Sequence, residues 1–119
     1  MTLGDSELKV MNIIWDNTPN QIEAKTVCSI ATSKYGWNKN TTYTLIKRCI
    51  EKGALLREEP NFICKALISK TEVQQEEVKK LTDKVFDGSS ELLFSSLLSN
   101  KGLSADKIEV LKNLIDKMR

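Results

Sequence analysis

Apolar residues recur along this chain at spacings of three and four, and the places where that rhythm stops divide it into elements. Residues 5 to 16 (DSELKVMNIIWD) put Leu8, Met11 and Trp15 on one side, with Val10, Ile13 and Ile14 widening the face and Asp5 or Ser6 available as N-cap. Pro19, in NTPN, ends this first helix. Residues 20 to 34 carry Ile22, Val27, Ile30 and Ala31 on one side and Glu23, Lys25, Ser29 and Lys34 largely elsewhere, which predicts a second helix closed by Gly36. A third helix follows Asn38-Lys39-Asn40 and stops at Gly53. Its positions Thr42, Leu45, Ile46, Cys49 and Ile50 fall at i, i+3, i+4, i+7 and i+8, whereas Asn40, Tyr43, Thr44 and Lys47 gather on the opposite face.

The period then changes. Two short branched-rich runs, ALLRE at 54–58 and FICKALI at 62–68, flank Glu59-Pro60-Asn61, which has the composition of a β-hairpin turn. From residue 71 the pattern is helical again, with Val73, Val78, Leu81, Val85 and Phe86 as a narrow stripe on a charged helix. Asp87-Gly88-Ser89-Ser90 interrupts it before a short apolar helix bearing Leu92, Leu93, Phe94, Leu97 and Leu98, which Asn100-Lys101-Gly102 stops. Ser104 can cap a last helix in which Ile108, Leu111, Leu114, Ile115 and Met118 repeat at three and four.

Composition narrows the function classes. With 40% hydrophobic and 29% charged residues the chain can fold a core. No stretch approaches the ~18 apolar residues of a membrane span. The start MTLGDSELK lacks the basic flank and apolar run of a signal peptide, so a cytoplasmic location is expected. The cysteines, Cys28, Cys49 and Cys64, are odd in number, form no CxxC and come with no histidine, which argues against a structural zinc site. Each stands where an apolar residue would fit, favouring core packing over redox sensing. Without histidine, a Gly-rich phosphate loop, GxSxG or HExxH, neither an enzyme nor a cofactor or metal is expected.

The net charge is +2, but its distribution is uneven: residues 1–33 carry −2, residues 34–70 carry +5 and residues 71–119 carry −1. Three helices, a hairpin and a basic excess that begins at the third helix predict a mainly α, α+β architecture. This is a three-helix winged helix-turn-helix domain over residues 1–70, followed by a helical dimerisation segment over residues 71–119. The exposed face of the third helix offers Asn40, Thr41, Tyr43, Thr44, Lys47 and Arg48 for groove reading and phosphate contact. The same face could be merely the polar side of a surface helix. The apolar tail is too extensive to stay wet, and a twin chain is the simplest cover.

The string TTYTLIKRCIEKGALLRE, preceded by VMNIIWDNTP and Trp37, resembles the penicillinase-repressor (BlaI/MecI) family. The matching positions are Val10, Met11, Ile14, Trp15, Pro19, Thr41, Thr44, Leu45, Arg48, Lys52, Gly53, Leu55 and Arg57, and the similarity runs on through DKVFDGS and the leucine-rich tail. The resemblance implies a homodimeric winged-helix repressor bound to an inverted-repeat operator of double-stranded DNA and controlling antibiotic-resistance genes. It implies DNA contacts from Thr41, Thr44, Arg48 and the wing residue Arg57, with Lys47 and Lys65 as phosphate partners. It also implies a dimer interface in the tail, at Phe86, Leu92, Leu93, Leu97, Leu98, Leu111, Leu114 and Ile115.

The chain departs from the family pattern at several points. Glu7 stands where many members have an aromatic residue, Tyr43 where a basic one is common, and the CxC pairs of copper-responsive members are absent. β-Lactam-responsive members are switched off by a protease that cuts an Asn-Phe bond in the dimer helix. The nearest equivalent here is Ser96-Leu97, so that cleavage site is not preserved. The rival reading is a winged-helix protein-interaction adaptor without specific DNA binding; a small enzyme or metal sensor has no acid-base pair or ligand cluster behind it.

Overall fold

Glu7 decides where the first helix, α1 (Asp5–Trp15), begins. Its carboxylate accepts the Gly4 N–H at 2.7 Å, so Gly4 is the N-cap, rather than Asp5 or Ser6. The computed structural model describes residues 2–17, 19–99 and 104–118, apart from the side chains of 111 and 114–118. Val10, Met11, Ile13 and Ile14 are buried along α1, and the half-buried Trp15 donates its indole N–H to the Ile68 carbonyl at 3.0 Å.

One expectation is corrected directly after α1. Residues 20–34 are not a single helix: Gln21–Glu23 form strand β1, and helix α2 covers Ala24–Tyr35. Asn20, at φ 65°, turns the chain, and its carbonyl accepts the Ala66 N–H at 3.0 Å. Ile22 then lies opposite Cys64 in an antiparallel ladder. Cross-strand hydrogen bonds to a distant segment outweigh the local helical spacing. At the far end of α2, Gly36 takes φ 69° and donates to the Thr32 carbonyl, as the sequence predicts.

Helix α3 (Lys39–Glu51) buries Thr42, Leu45, Ile46 and Cys49, the stripe expected from the spacing. Thr42 is fully buried, and its hydroxyl is satisfied by the Asn38 carbonyl at 3.3 Å. Strands β2 (Leu55–Glu58) and β3 (Ile63–Ala66) pair antiparallel, Arg57 opposite Cys64 and Leu56 opposite Lys65. The sheet order is β1-β3-β2, so the wing has three strands rather than the two of the expected hairpin. Val10, Met11, Ile14, Val27, Ile46, Leu55 and Cys64 form the centre of a core shared by α1, α2, α3 and the sheet.

The chain divides into two compact units, Met1–Gln74 and Gln75–Arg119, with the boundary inside helix α4 (Lys70–Val85). In the second unit, the Gly88 N–H (φ 77°) and the Phe86 N–H both reach back to the Thr82 carbonyl at 3.0 Å and close α4. Ser89 caps α5 (Ser90–Leu98) by accepting the Leu92 N–H at 3.1 Å. Ser104 accepts the Lys107 N–H at the start of α6 (Ala105–Met118), as expected. No residue of α5 is buried. Among the described residues no helix is long and apolar enough to cross a membrane.

Candidate nucleic-acid interface

Because one face of α3 is locked into the core, the opposite face is held at a fixed angle to the first unit. The helix is anchored at its start by Asn38, whose side chain accepts the Thr41 N–H at 2.8 Å. At its end, Lys52 donates to the Glu7 carboxylate at 2.6 Å and to the Thr2 carbonyl at 2.8 Å. Between these anchors Asn40, Thr41, Thr44, Lys47 and Arg48 are all exposed. Asn38, Asn40, Thr41, Thr44, Leu45 and Arg48 line an open cleft of about 330 Å³ along the helix. The Thr44 hydroxyl donates to the Asn40 carbonyl at 2.9 Å, which orients both residues.

Tyr43, also expected on this face, is placed differently. Its ring is half-buried and lies 5.8 Å from Phe62 of the wing, tilted by 54°, with the Lys39 ammonium 5.8 Å from its centroid. Tyr43 thus spends its aromatic surface joining α3 to the wing.

The wing cations do not share a face. Arg57 lies opposite Cys64, on the side of the sheet that faces the core, whereas Lys65 lies opposite Leu56 and Gln21 on the outer side. Both are exposed and both are paired: Arg57 Nε with Glu59 at 2.5 Å, and Lys65 with Glu58 at 3.6 Å. By contrast, Lys47 and Arg48 of α3 have no ion-pair partner among the described residues. Compared with the wing, α3 therefore carries cations that no described carboxylate neutralises.

Two features went unseen in the sequence. Lys25, Cys28, Ser29, Thr32 and Lys39 line a second open cleft, of about 510 Å³, between α2 and the start of α3. Only the three-dimensional packing of α2 against α3 brings these residues together. The second is Glu59, the counter-ion of Arg57. The available signal is an acidic residue two positions beyond a strand arginine, which the turn composition of Glu59-Pro60-Asn61 masks.

The cysteines are free and buried. Burial pushes the Cys49 thiol up to about 12 and the Cys64 thiol up to about 11. It also raises Cys28, against the lowering influence of Lys39. All three thiols are neutral at pH 7, which suits small apolar core residues.

Of the side chains expected at a dimer contact, Leu92 and Leu97 are exposed, whereas Phe86, Leu93 and Leu98 are half-buried. Those of Leu111, Leu114 and Ile115 lie outside the described residues, as does the segment 100–102 expected to end α5.

The chain matches the penicillinase repressor family over residues 3–117. It is 28% identical to the methicillin resistance regulatory protein MecI of Staphylococcus aureus (strain N315) over 117 residues, covering 97% of this chain and 94% of that protein. It is 23% identical to the penicillinase repressor of Bacillus licheniformis over 116 residues, covering 96% of this chain and 89% of that protein. In three dimensions it is similar to the solution structure of the DNA-binding domain of the repressor BlaI. That match has a TM-score of 0.54 and 27% identity, covering 60% of this chain and 87% of that one.

Proposed function

This chain belongs to the penicillinase repressor family, a family of non-enzymatic transcriptional repressors, and from that premise we propose that it represses transcription as a homodimer on an inverted-repeat DNA operator. The observation that carries this reading is the exposed face of α3: an asparagine, two threonines and two cations without ion-pair partners among the described residues, on a helix whose other face is fixed in the core. Arg48 and Lys47 suit guanine O6/N7 or phosphate, Asn40 suits adenine, and Thr41 and Thr44 suit phosphate or a thymine methyl. Arg57 and Lys65 flank them as backbone contacts of the wing. Residues 1–70 are the reader and residues 71–119 the dimerisation segment.

Dimerisation has a physical motive. A single reader meets one half-site and binds with the weak, salt-sensitive affinity of non-specific contacts, with Kd on the order of 10⁻⁴ to 10⁻⁶ M. Linking two readers raises affinity through effective concentration, and a two-fold interface matches a palindromic site. Phe86, Leu92, Leu93, Leu97, Leu98, Leu111, Leu114 and Ile115 are the side chains proposed for that interface.

The names of the relatives point to β-lactam resistance genes as the regulated class. A regulatory protease is the corresponding off-switch: a cut at Ser96-Leu97, inside α5, would part Leu92, Leu93 and Phe94 from α6. The test of the repressor reading is an anisotropy titration against the chain's own upstream DNA and a scrambled duplex. Saturable binding that favours the native sequence and weakens with salt is expected. Equal affinity for both duplexes would overturn it in favour of an interaction adaptor.

A further inference from the structure

The wing carries its own counter-ions. Between Leu55 and Ala66 the charged residues are Arg57, Glu58, Glu59 and Lys65, which sum to zero. Arg57 is held in two ways: Nε donates to Glu59 at 2.5 Å, and the guanidinium carbon sits 3.7 Å from the centroid of the Phe62 ring. Glu59 is itself fixed, because its second oxygen accepts the Phe62 N–H at 3.3 Å. The hydrogen bond from Arg57, followed by that from the Phe62 N–H, holds the Glu59 carboxyl below its ordinary value, so it is ionised at pH 7. Phe62 in turn packs on Tyr43 of α3, which ties the wing tip to the helix proposed to read bases.

We infer that Glu59 competes with the phosphodiester backbone for Arg57, so that the wing docks on DNA only by giving up its internal ion pair. This rests on the DNA-binding reading above. Its physical basis is that a carboxylate within hydrogen-bonding distance of a cation both neutralises it and repels an approaching phosphate. The unpaired cations of α3 carry binding on any sequence. The wing adds its contact where α3 is seated well enough to offset the lost pair, so Glu59 lowers non-specific affinity more than operator affinity and thereby raises specificity.

The experiment measures Kd by anisotropy for operator and scrambled duplexes between about 50 and 200 mM salt. It uses the full chain and its Glu59→Gln, Glu58→Gln, Arg57→Ala and Glu59→Gln/Arg57→Ala variants, with Arg48→Ala as the control on the reading itself. Glu59→Gln is expected to tighten binding to scrambled DNA and to steepen the log–log salt slope by about 0.9 for each wing that docks. For one wing the gain then grows roughly 3.5-fold from the high to the low salt concentration. The gain should vanish in the double variant, and Glu58→Gln, which releases Lys65 from a longer contact of 3.6 Å against 2.5 Å for Arg57 and Glu59, should give a smaller one. Three results overturn the inference while Arg48→Ala still weakens binding: an unchanged slope, a loss of affinity in Glu59→Gln, or equal gains from Glu58→Gln and Glu59→Gln. The second of these would make Glu59 an orienting partner of Arg57, and the third would reduce the effect to the wing's net charge, with no special part for the pair of Arg57 and Glu59. If Arg48→Ala changes nothing, the DNA-binding reading fails, and this inference with it.

Discussion

At the scale of single residues, Glu7 bears the most unusual physics in the molecule. It is only 5% exposed, and although its Oε1 takes both the Gly4 N–H and the Lys52 ammonium, its Oε2 has no hydrogen-bond partner among the described residues. Burial raises its pKa. The hydrogen bonds from Lys52 and the Gly4 N–H, with the charges of Lys52 and Arg48, lower it by more, so the net position is below the ordinary 4.5. A carboxyl whose folded pKa lies below its unfolded one contributes stability above the unfolded value, and that contribution is lost as pH falls through the folded value. Lys52→Met should therefore destabilise the chain by about 2 kcal/mol at neutral pH. That is less than a fully buried pair would lose, because the Lys52 head is partly wet. The deficit should shrink as pH falls into the acid range, because Glu7 without Lys52 is protonated at a higher pH than in wild type and no longer buries an unpaired charge there; urea melts with equal deficits at neutral and acid pH would refute this. The sequence marked Glu7 as a departure from the family pattern, but its partner stands forty-five residues away and no local pattern joins them.

The elements divide by how far each depends on distant partners. Spacing alone predicts α1, α3 and most of α2, because the buried stripe of each is written in its own residues. β1 escaped, since three residues carry no readable period and its partner, β3, lies some forty positions on. The wing strands were legible, but their register was not. Only the pairing of Arg57 with Cys64 reveals that Lys65 occupies the other face. In the same way Tyr43 fits the polar face of α3 by spacing, and only the position of Phe62 turns its ring towards the wing. The cap of α3 yields a prediction at this scale. Asn38→Ala removes the acceptor of the Thr41 N–H and should cost about 1 kcal/mol in a denaturant melt. It should also weaken DNA binding by loosening the turn that bears Asn40 and Thr41. Asn38→Ser, which keeps a capping oxygen, should stay close to wild type, and equal losses in the two variants would show that the cap contributes nothing.

At the scale of the whole molecule, the second unit carries the apolar surface of the proposed dimer. Leu92 and Leu97 of α5 are 53% and 37% exposed, and Val78, Leu81 and Val85 of α4 are exposed as well. On a segment this short such surface calls for a partner. Leu97→Asp should yield monomers in sedimentation and a matching fall in operator affinity; an unchanged dimer would contradict the assigned interface. The central claim, that α3 reads DNA, is tested most directly by one titration. Wild type and Arg48→Ala are compared on the chain's own upstream operator and on a scrambled duplex at fixed salt. If Arg48 contacts a base, its removal should cost about 1–3 kcal/mol on the operator and much less on the scrambled duplex, so that discrimination narrows. Equal losses on both duplexes would reduce Arg48 to a phosphate contact, and no loss on either would contradict the account.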